Sequence, residues 1–474
     1  MFEEDEENLE NNDFEELIER FEEMLSENKQ YFFDVTDYEY IIDYYYNKNN
    51  INKALKATKL ANIQYPNSYI FLLKKAQLFA SSNKAEKALD ILSQVEMIEP
   101  LNPELFLTRG AIFSQLKRYK EAIEEYNKAL DDADALDEIY CSIAIEYENL
   151  GNYNKSIEYL HKALKINNAN DIALYELAFC YDVSGRVEDS IEYYNKFLDD
   201  YPYNEIAWYN LGIAYNDMEL YEKAIDAYDF ALAIDESFVP AIFNKANTLA
   251  NLGKYEDAIN VYKEAFQYSE NDSVTYLYIG TCYEKLEDFD NAMFNYKKAV
   301  EIDPELGDGW VGIGVALDGL MKLEEGLHYI DKGLKIEPEN PDFLYIKGNA
   351  LKKLGRYDEA EKNYLEAIKQ QPETSDVHLD YAEMMYETGN SDSAINILFE
   401  ATSNYTDNPE LYYMLAGYLF LKGRKNEALK QFENGLFYAT DEYSMIFEYV
   451  PELINNQQII DLIEFYSNLN KNNK

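Results

Sequence analysis

A unit of 34 residues recurs twelve times without insertion or deletion, starting at Val35, Tyr69, Pro103, Asp137, Asp171, Glu205, Val239, Ser273, Gly307, Pro341, Ser375 and Pro409 and running to about Glu442. A fixed period of this length restricts the fold severely. Each unit is one supersecondary element that cannot bury its apolar side alone, so a core forms only by stacking neighbours. Length alone would suggest about three domains, but the repeat predicts one array in place of separate globules.

Three positions in the unit carry short side chains. Position 8 is Gly or Ala in eleven repeats, position 20 is small in all twelve, and position 27 is Ala or Gly in ten. Helices approach closely only where side chains are short, so these positions mark the crossing of a helix pair. Position 4 is large throughout and position 24 is often aromatic, as at Tyr126, Tyr194, Tyr228, Tyr262, Tyr296 and Tyr364. These would fill the space that the small residues leave. Within the sixth repeat Trp208, Leu211, Gly212 and Tyr215 follow helical spacing, and Ala224, Tyr228 and Ala231 continue on a second helix. A break near position 15 is often Gly, and six repeats place Pro at position 32, where it would end the second helix.

On these residues the chain resembles the tetratricopeptide repeat family. The resemblance implies an all-α fold, an α-solenoid in which antiparallel helix pairs stack into a right-handed superhelix with a concave groove. It also implies protein binding. The expected layout is an acidic disordered tail over 1–12, an amphipathic capping helix over 13–34, twelve repeats over 35–442 and capping helices over 443–470. In the second segment Phe14, Leu17, Ile18, Phe21 and Leu25 form a helical stripe, with Asp13 and Glu16 as its expected cap. Terminal elements of this kind cover faces that end repeats would otherwise expose.

Charge narrows the partners. The chain has 90 acidic and 42 basic residues and a net charge of −48. Phosphate backbones and anionic membranes are repelled by such a surface, whereas basic partners are steered toward it. Three cysteines with no CxxC spacing, an acidic N-terminus and no long apolar run lead us to expect a soluble cytoplasmic protein.

In the family, positions 2, 5, 6, 9, 12 and 13 of the first helix face the groove. Position 5 is apolar or aromatic in eleven repeats here. The expected partner site therefore centres on repeats four to seven. Tyr175, Phe179, Tyr209, Ile213, Phe243 and Leu277 would be apolar anchors, and Asn210, Asn244 and Asn247 would hold a peptide backbone through their amides. Such a floor, with an acidic rim, suits a protein segment with apolar anchors and basic flanks. Position 5 also packs between neighbouring first helices, so part of this ladder is expected to be structural. An alternative function is acidic mimicry, in which the chain occupies the basic surface of a nucleic-acid-binding protein.

No catalysis and no cofactor are expected. Gly307-Asp308-Gly309-Trp310-Val311-Gly312 matches GxGxxG, but it falls where the repeat predicts helix and lacks a preceding strand. His161, His328 and His378 are far apart in the array. Seven glycines within 307–340 suggest a hinge or a place where a partner's backbone comes close, the alternative being simple tolerance of small residues at positions 8, 20 and 27; interior helical glycine costs about 1 kcal/mol relative to alanine.

Overall fold

The computed structural model describes residues 2–27, 31–131, 134–268, 272–370 and 374–472, with 2–13, 27 and 470–472 as backbone only. The described residues form 27 α-helices and no strand. The chain divides into two compact units, 1–241 and 242–474, and each is described by itself.

Ten of the twelve first helices begin on the residue at which the repeat begins; the other two start at Leu136 and Asp376, one residue away. The second helices begin at Ile51, Ala85, Tyr119 and so on to Lys425, always 34 residues apart. Local chemistry sets these limits. An Asn or Asp just before the first helix often caps it: Asn102, Asn170 and Asn204 accept from the backbone N–H groups of Leu105, Ala173 and Ala207 at 3.2, 2.9 and 2.7 Å. At the other end the residue at position 15 is left-handed in every repeat, six times Gly and six times Asn49, Asn83, Lys117, Glu219, Glu287 or Met321. The next N–H then reaches back to a carbonyl five residues earlier, as from Asn152 to Tyr147 at 2.8 Å, and closes the helix. Nine of the twelve second helices stop two residues before position 32 whether or not proline stands there, since those before Asn168 and Glu236 end at Ile166 and Ile234; the other three stop earlier, at Ala129, Ala265 and Lys369. The proline is therefore compatible with the stop and not its cause.

In both units the first helices of neighbouring repeats touch one another, and second helices show no comparable mutual contact among the described residues. Each stack therefore curves with its first helices on the inner side. The small residues lie where the helices cross. A Cβ added at Gly280 or Gly348 would sit 2.8 or 2.6 Å from the ring of Tyr296 or Tyr364, both buried. The glycine-rich repeat is the tightest version of this arrangement. A Cβ on Gly314 would meet Ile330 at 2.5 Å and the Gly326 carbonyl at 2.9 Å, and one on Gly312 would meet Tyr296 at 2.7 Å. Close packing of helices accounts for these glycines.

At the start of the chain the helix runs Phe2–Glu27. It covers most of the stretch expected to be disordered and places Asp13 inside the helix, not at its cap. Nothing between Phe2 and Glu27 breaks a helix, and acids near its N-terminus suit the dipole. Leu17 and Phe21 are buried against Tyr38, Ile41 and Tyr45 of the first repeat, and the Tyr45 hydroxyl donates to Glu22 at 2.5 Å. At the other end a short helix Met445–Tyr449, a 3-10 turn Pro451–Asn455 and the helix Gln457–Asn472 bury Ile446, Leu453 and Ile459 against Tyr413 and Phe432.

Candidate functional site

The helix Asp171–Val183 is apolar on both faces. Ala173, Leu174, Leu177, Cys180 and Tyr181 are buried in the core of the first unit. The opposite side presents Ile172, Tyr175, Phe179 and Val183, exposed at 57, 39, 49 and 47 %. Their spacing of three, four and four residues keeps them on one face of the helix. Single exposed apolar side chains are ordinary, but four aligned ones form a patch that calls for a reason. This stripe lies on a first helix and therefore on the inner side of the stack.

Neighbouring first helices extend the patch. The ring of Tyr175 meets Tyr209 edge-on at 6.4 Å, and Tyr209 leans on Phe238 at 5.2 Å. Tyr209 and Ile213 are half-buried, and Ile213 shares a shallow depression with Ala178, Asp182, Ser190 and Asp217. Ile206 is buried and contributes to the core only.

Asn210 must be withdrawn from the expected backbone-holding residues. It is 2 % exposed, and its amide donates to the Leu174 carbonyl at 3.0 Å and to the Tyr194 hydroxyl at 3.2 Å. Tyr194 itself donates to the same carbonyl at 2.7 Å. Asn210 thus satisfies groups that the close approach of the helices would strand, and no amide hydrogen remains for a partner.

In the second unit Phe243 is half-buried and meets Tyr262 at 5.8 Å and Tyr278 at 6.4 Å, both edge-on. Asn247 accepts the hydroxyl of Tyr262, so half of its amide is engaged within the fold. Asn349 does the same for Tyr364 at 2.6 Å. Asparagine at position 9 is thus first a partner for the buried tyrosine at position 24. Asn244 is half-buried. Leu277 packs on the cluster around Ile313 and Leu317. Val274 and Tyr278 are exposed.

The position 5 ladder is therefore not uniform. Leu73, Cys141, Val311, Leu379 and Tyr413 are buried packing residues, Tyr175 is exposed, and Tyr209, Phe243 and Leu277 are between. Val183, Tyr278 and Glu176 also lie on this inner face and were not among the expected residues. Val183 follows Phe179 by four residues, which was a legible signal. Glu176 was hidden because its neighbour comes from another repeat: burial, followed by the like-charged Glu148, raises its pKa above the ordinary carboxylate value.

The groups around the stripe are acidic. The first helices Leu136–Asn149, Asp171–Val183 and Glu205–Asp217 carry no lysine, arginine or histidine. Three lysines elsewhere that could have formed a carboxylate clamp are each already paired: Lys74 with Asp43 at 2.7 Å, Lys352 with Asp380 at 3.6 Å, and Lys353 with Asp318 at 2.5 Å. All three cysteines are free and buried, and burial pushes the thiols of Cys141 and Cys180 up to about 12. Among the described residues no cluster of His, Cys, Asp and Glu is arranged to hold a metal ion, and no helix is long and apolar enough to cross a membrane.

No curated protein sequence matches the chain. Among solved structures, yeast Tom70 is similar with a TM-score of 0.49 and 14 % identity over 91 % of this chain and 95 % of that one. A chain of the APC/C hetero-tetramer Cut9–Hcn1 is similar with a TM-score of 0.43 and 15 % identity over 81 % of this chain and 89 % of that one. TTC0263, a thermophilic TPR protein of Thermus thermophilus, matches 39 % of this chain over 100 % of its own, with a TM-score of 0.35 and 20 % identity. Sequence profiles described as tetratricopeptide repeat match residues 150–211 and 353–417, 206–238 and 273–306, 329–362, and 103–131 and 239–272. Together these matches cover more than half of the sequence, and the chain belongs to the tetratricopeptide repeat family.

Proposed function

We propose that this chain is a non-catalytic scaffold that holds a segment of a partner protein against the inner, first-helix side of its repeats. The observation that carries this reading is the row Ile172, Tyr175, Phe179 and Val183, four apolar side chains exposed together on one face of one inner helix. Tyr209 and Ile213 complete the anchor set in the first unit. In the second unit Phe243, Leu277, Asn244 and Asn247 form a separate and weaker candidate. The acidic surroundings favour a partner segment with basic flanks. A cytoplasmic location belongs to the same reading and is supported by three unpaired, buried thiols.

Replacing Tyr175 and Phe179 together by Ala should abolish partner capture and leave the helical circular dichroism unchanged. Capture that survives the double substitution refutes the assignment. The net charge of −48 favours a second reading, in which the chain imitates nucleic acid on a basic partner. Salt separates the two: mimicry predicts loss of binding between about 50 and 200 mM salt, and apolar anchoring predicts little change.

A further inference from the structure

Glu148 and Glu176 face each other across two repeats, beside the exposed stripe. One oxygen of Glu148 accepts the Ser156 hydroxyl at 2.7 Å and the Cys180 thiol at 3.2 Å, and Glu176, one turn before Cys180, is held above the ordinary carboxylate value first by burial and then by the Glu148 charge. The charged groups set around this pair on the inner helices are all acids: Asp137 and Glu138 on Leu136–Asn149, Asp171 and Asp182 on the stripe helix, and Glu205 and Asp217 on Glu205–Asp217. Asp217 in turn faces Asp182, and burial with this neighbour raises its pKa above the usual value. Three basic side chains on and beside the second helices are engaged with acids there. Lys155 and Lys162 bond Glu158 at 2.9 and 2.8 Å, and Arg186 bonds Asp189 at 2.6 Å. His161 lies against Tyr181 and Tyr193. The fold thus spends stability on like-charged neighbours beside an uncovered apolar row, and among the described residues no ion pair to Glu148, Glu176, Asp182 or Asp217 relieves them.

We propose that the occupant of this face is an amphipathic basic helix from a partner protein, whose apolar stripe lies along Ile172, Tyr175, Phe179 and Val183 and whose lysine or arginine sits on the Glu148–Glu176 pair. This rests on the scaffold reading above and gives the partner its chemistry. The apolar row rises roughly 16 Å along the helix axis, so about three to four turns of a partner helix match it. A straight row at helical spacing is what another helix's stripe packs against. Charge excludes nearer candidates: a second copy of the chain brings a further −48, and residues 3–7 of the chain's own start are all acidic. A bound cation favours the ionised carboxylates, so affinity should fall on acidification, approaching about tenfold per pH unit for one linked proton.

The test uses the full-length protein and a random peptide library of about four helical turns displayed on phage. Peptides enriched on the parent protein should carry apolar residues at i, i+3 or i+4 and i+7 together with Lys or Arg. They should lose binding to Tyr175→Ala/Phe179→Ala and bind more weakly in acid. On Glu148→Gln/Glu176→Gln the same peptides should bind at least about tenfold more weakly and lose the pH dependence, although that variant keeps its helical circular dichroism. Binders that need Tyr175 and Phe179 but lack basic residues, or ignore the Gln substitutions, overturn this inference and leave the scaffold reading intact. Failure to enrich any binder sensitive to Tyr175 and Phe179 overturns both. So does a chain that sediments as a dimer and returns to monomer on the alanine substitutions.

Discussion

Met321 offers a test in which the sign alone decides. It stands at position 15 of the ninth repeat with φ +61° and its side chain in solvent. An L-residue in the left-handed region is disfavoured by about 1–2 kcal/mol. Glycine removes that penalty and gives back about 0.5–1 kcal/mol through the greater freedom of its unfolded chain. Met321→Gly should therefore stabilise by roughly 0.5–1 kcal/mol. Lys117, Glu219 and Glu287 share the geometry, with φ from +57° to +58°. All four changes together should add about 2–4 kcal/mol if the sites are independent. The reverse change, Gly151→Ala or Gly185→Ala, should cost a similar amount through the backbone alone, because an added Cβ meets nothing within 4 Å at either site. Urea denaturation followed by circular dichroism measures the sum. Repeat arrays need not unfold in one step, so native-state hydrogen exchange at residues 307–340 locates the gain. If Met321→Gly lowers stability by the roughly 1 kcal/mol typical of an interior helical glycine, the turn is not left-handed there and the shared turn geometry of the twelve repeats is wrong.

Ala224 is fully buried at a helix crossing, so Ala224→Leu should cost about 1–3 kcal/mol in urea denaturation, whereas Glu222→Gln on the exposed side of the same helix should be silent. His378 is buried with neither ring nitrogen bonded, and burial lowers its pKa. Its neutral form is favoured by folding, so its contribution is present above the unfolded value of about 6.5 and is lost as pH falls. His378→Leu should accordingly raise the melting temperature and flatten its decline in acid; an unchanged acid slope refutes this. Glu176 has the opposite sign, since its pKa is raised and its charge is unfavourable in the fold. Glu176→Gln should raise the melting temperature at neutral pH and have no effect once the carboxyl is protonated in acid.

The period of 34 and the three small positions made the helix pairs legible, because both follow from the distance at which two helices can meet. The inner side was legible only as a set of positions. Whether a side chain at position 5 is packed or exposed depends on what the next repeat brings against it: Val311 is covered and Tyr175 is not. Asn210 misled for the same reason. Its partners, Leu174 and Tyr194, are 36 and 16 residues away, and nothing local shows that an asparagine has been used to satisfy them. The Glu148–Glu176 pair lay across a repeat boundary in a chain with 90 acids, where no single carboxylate stands out by sequence.

The most direct test of the scaffold reading is site-specific photocrosslinking in the cell that makes the protein. A photoreactive phenylalanine at Phe179 should form adducts with a partner through a basic, amphipathic segment identified by mass spectrometry. The same probe at Phe230, exposed on a second helix, should form none with that partner. Adducts at Phe230 with none at Phe179 would contradict the account.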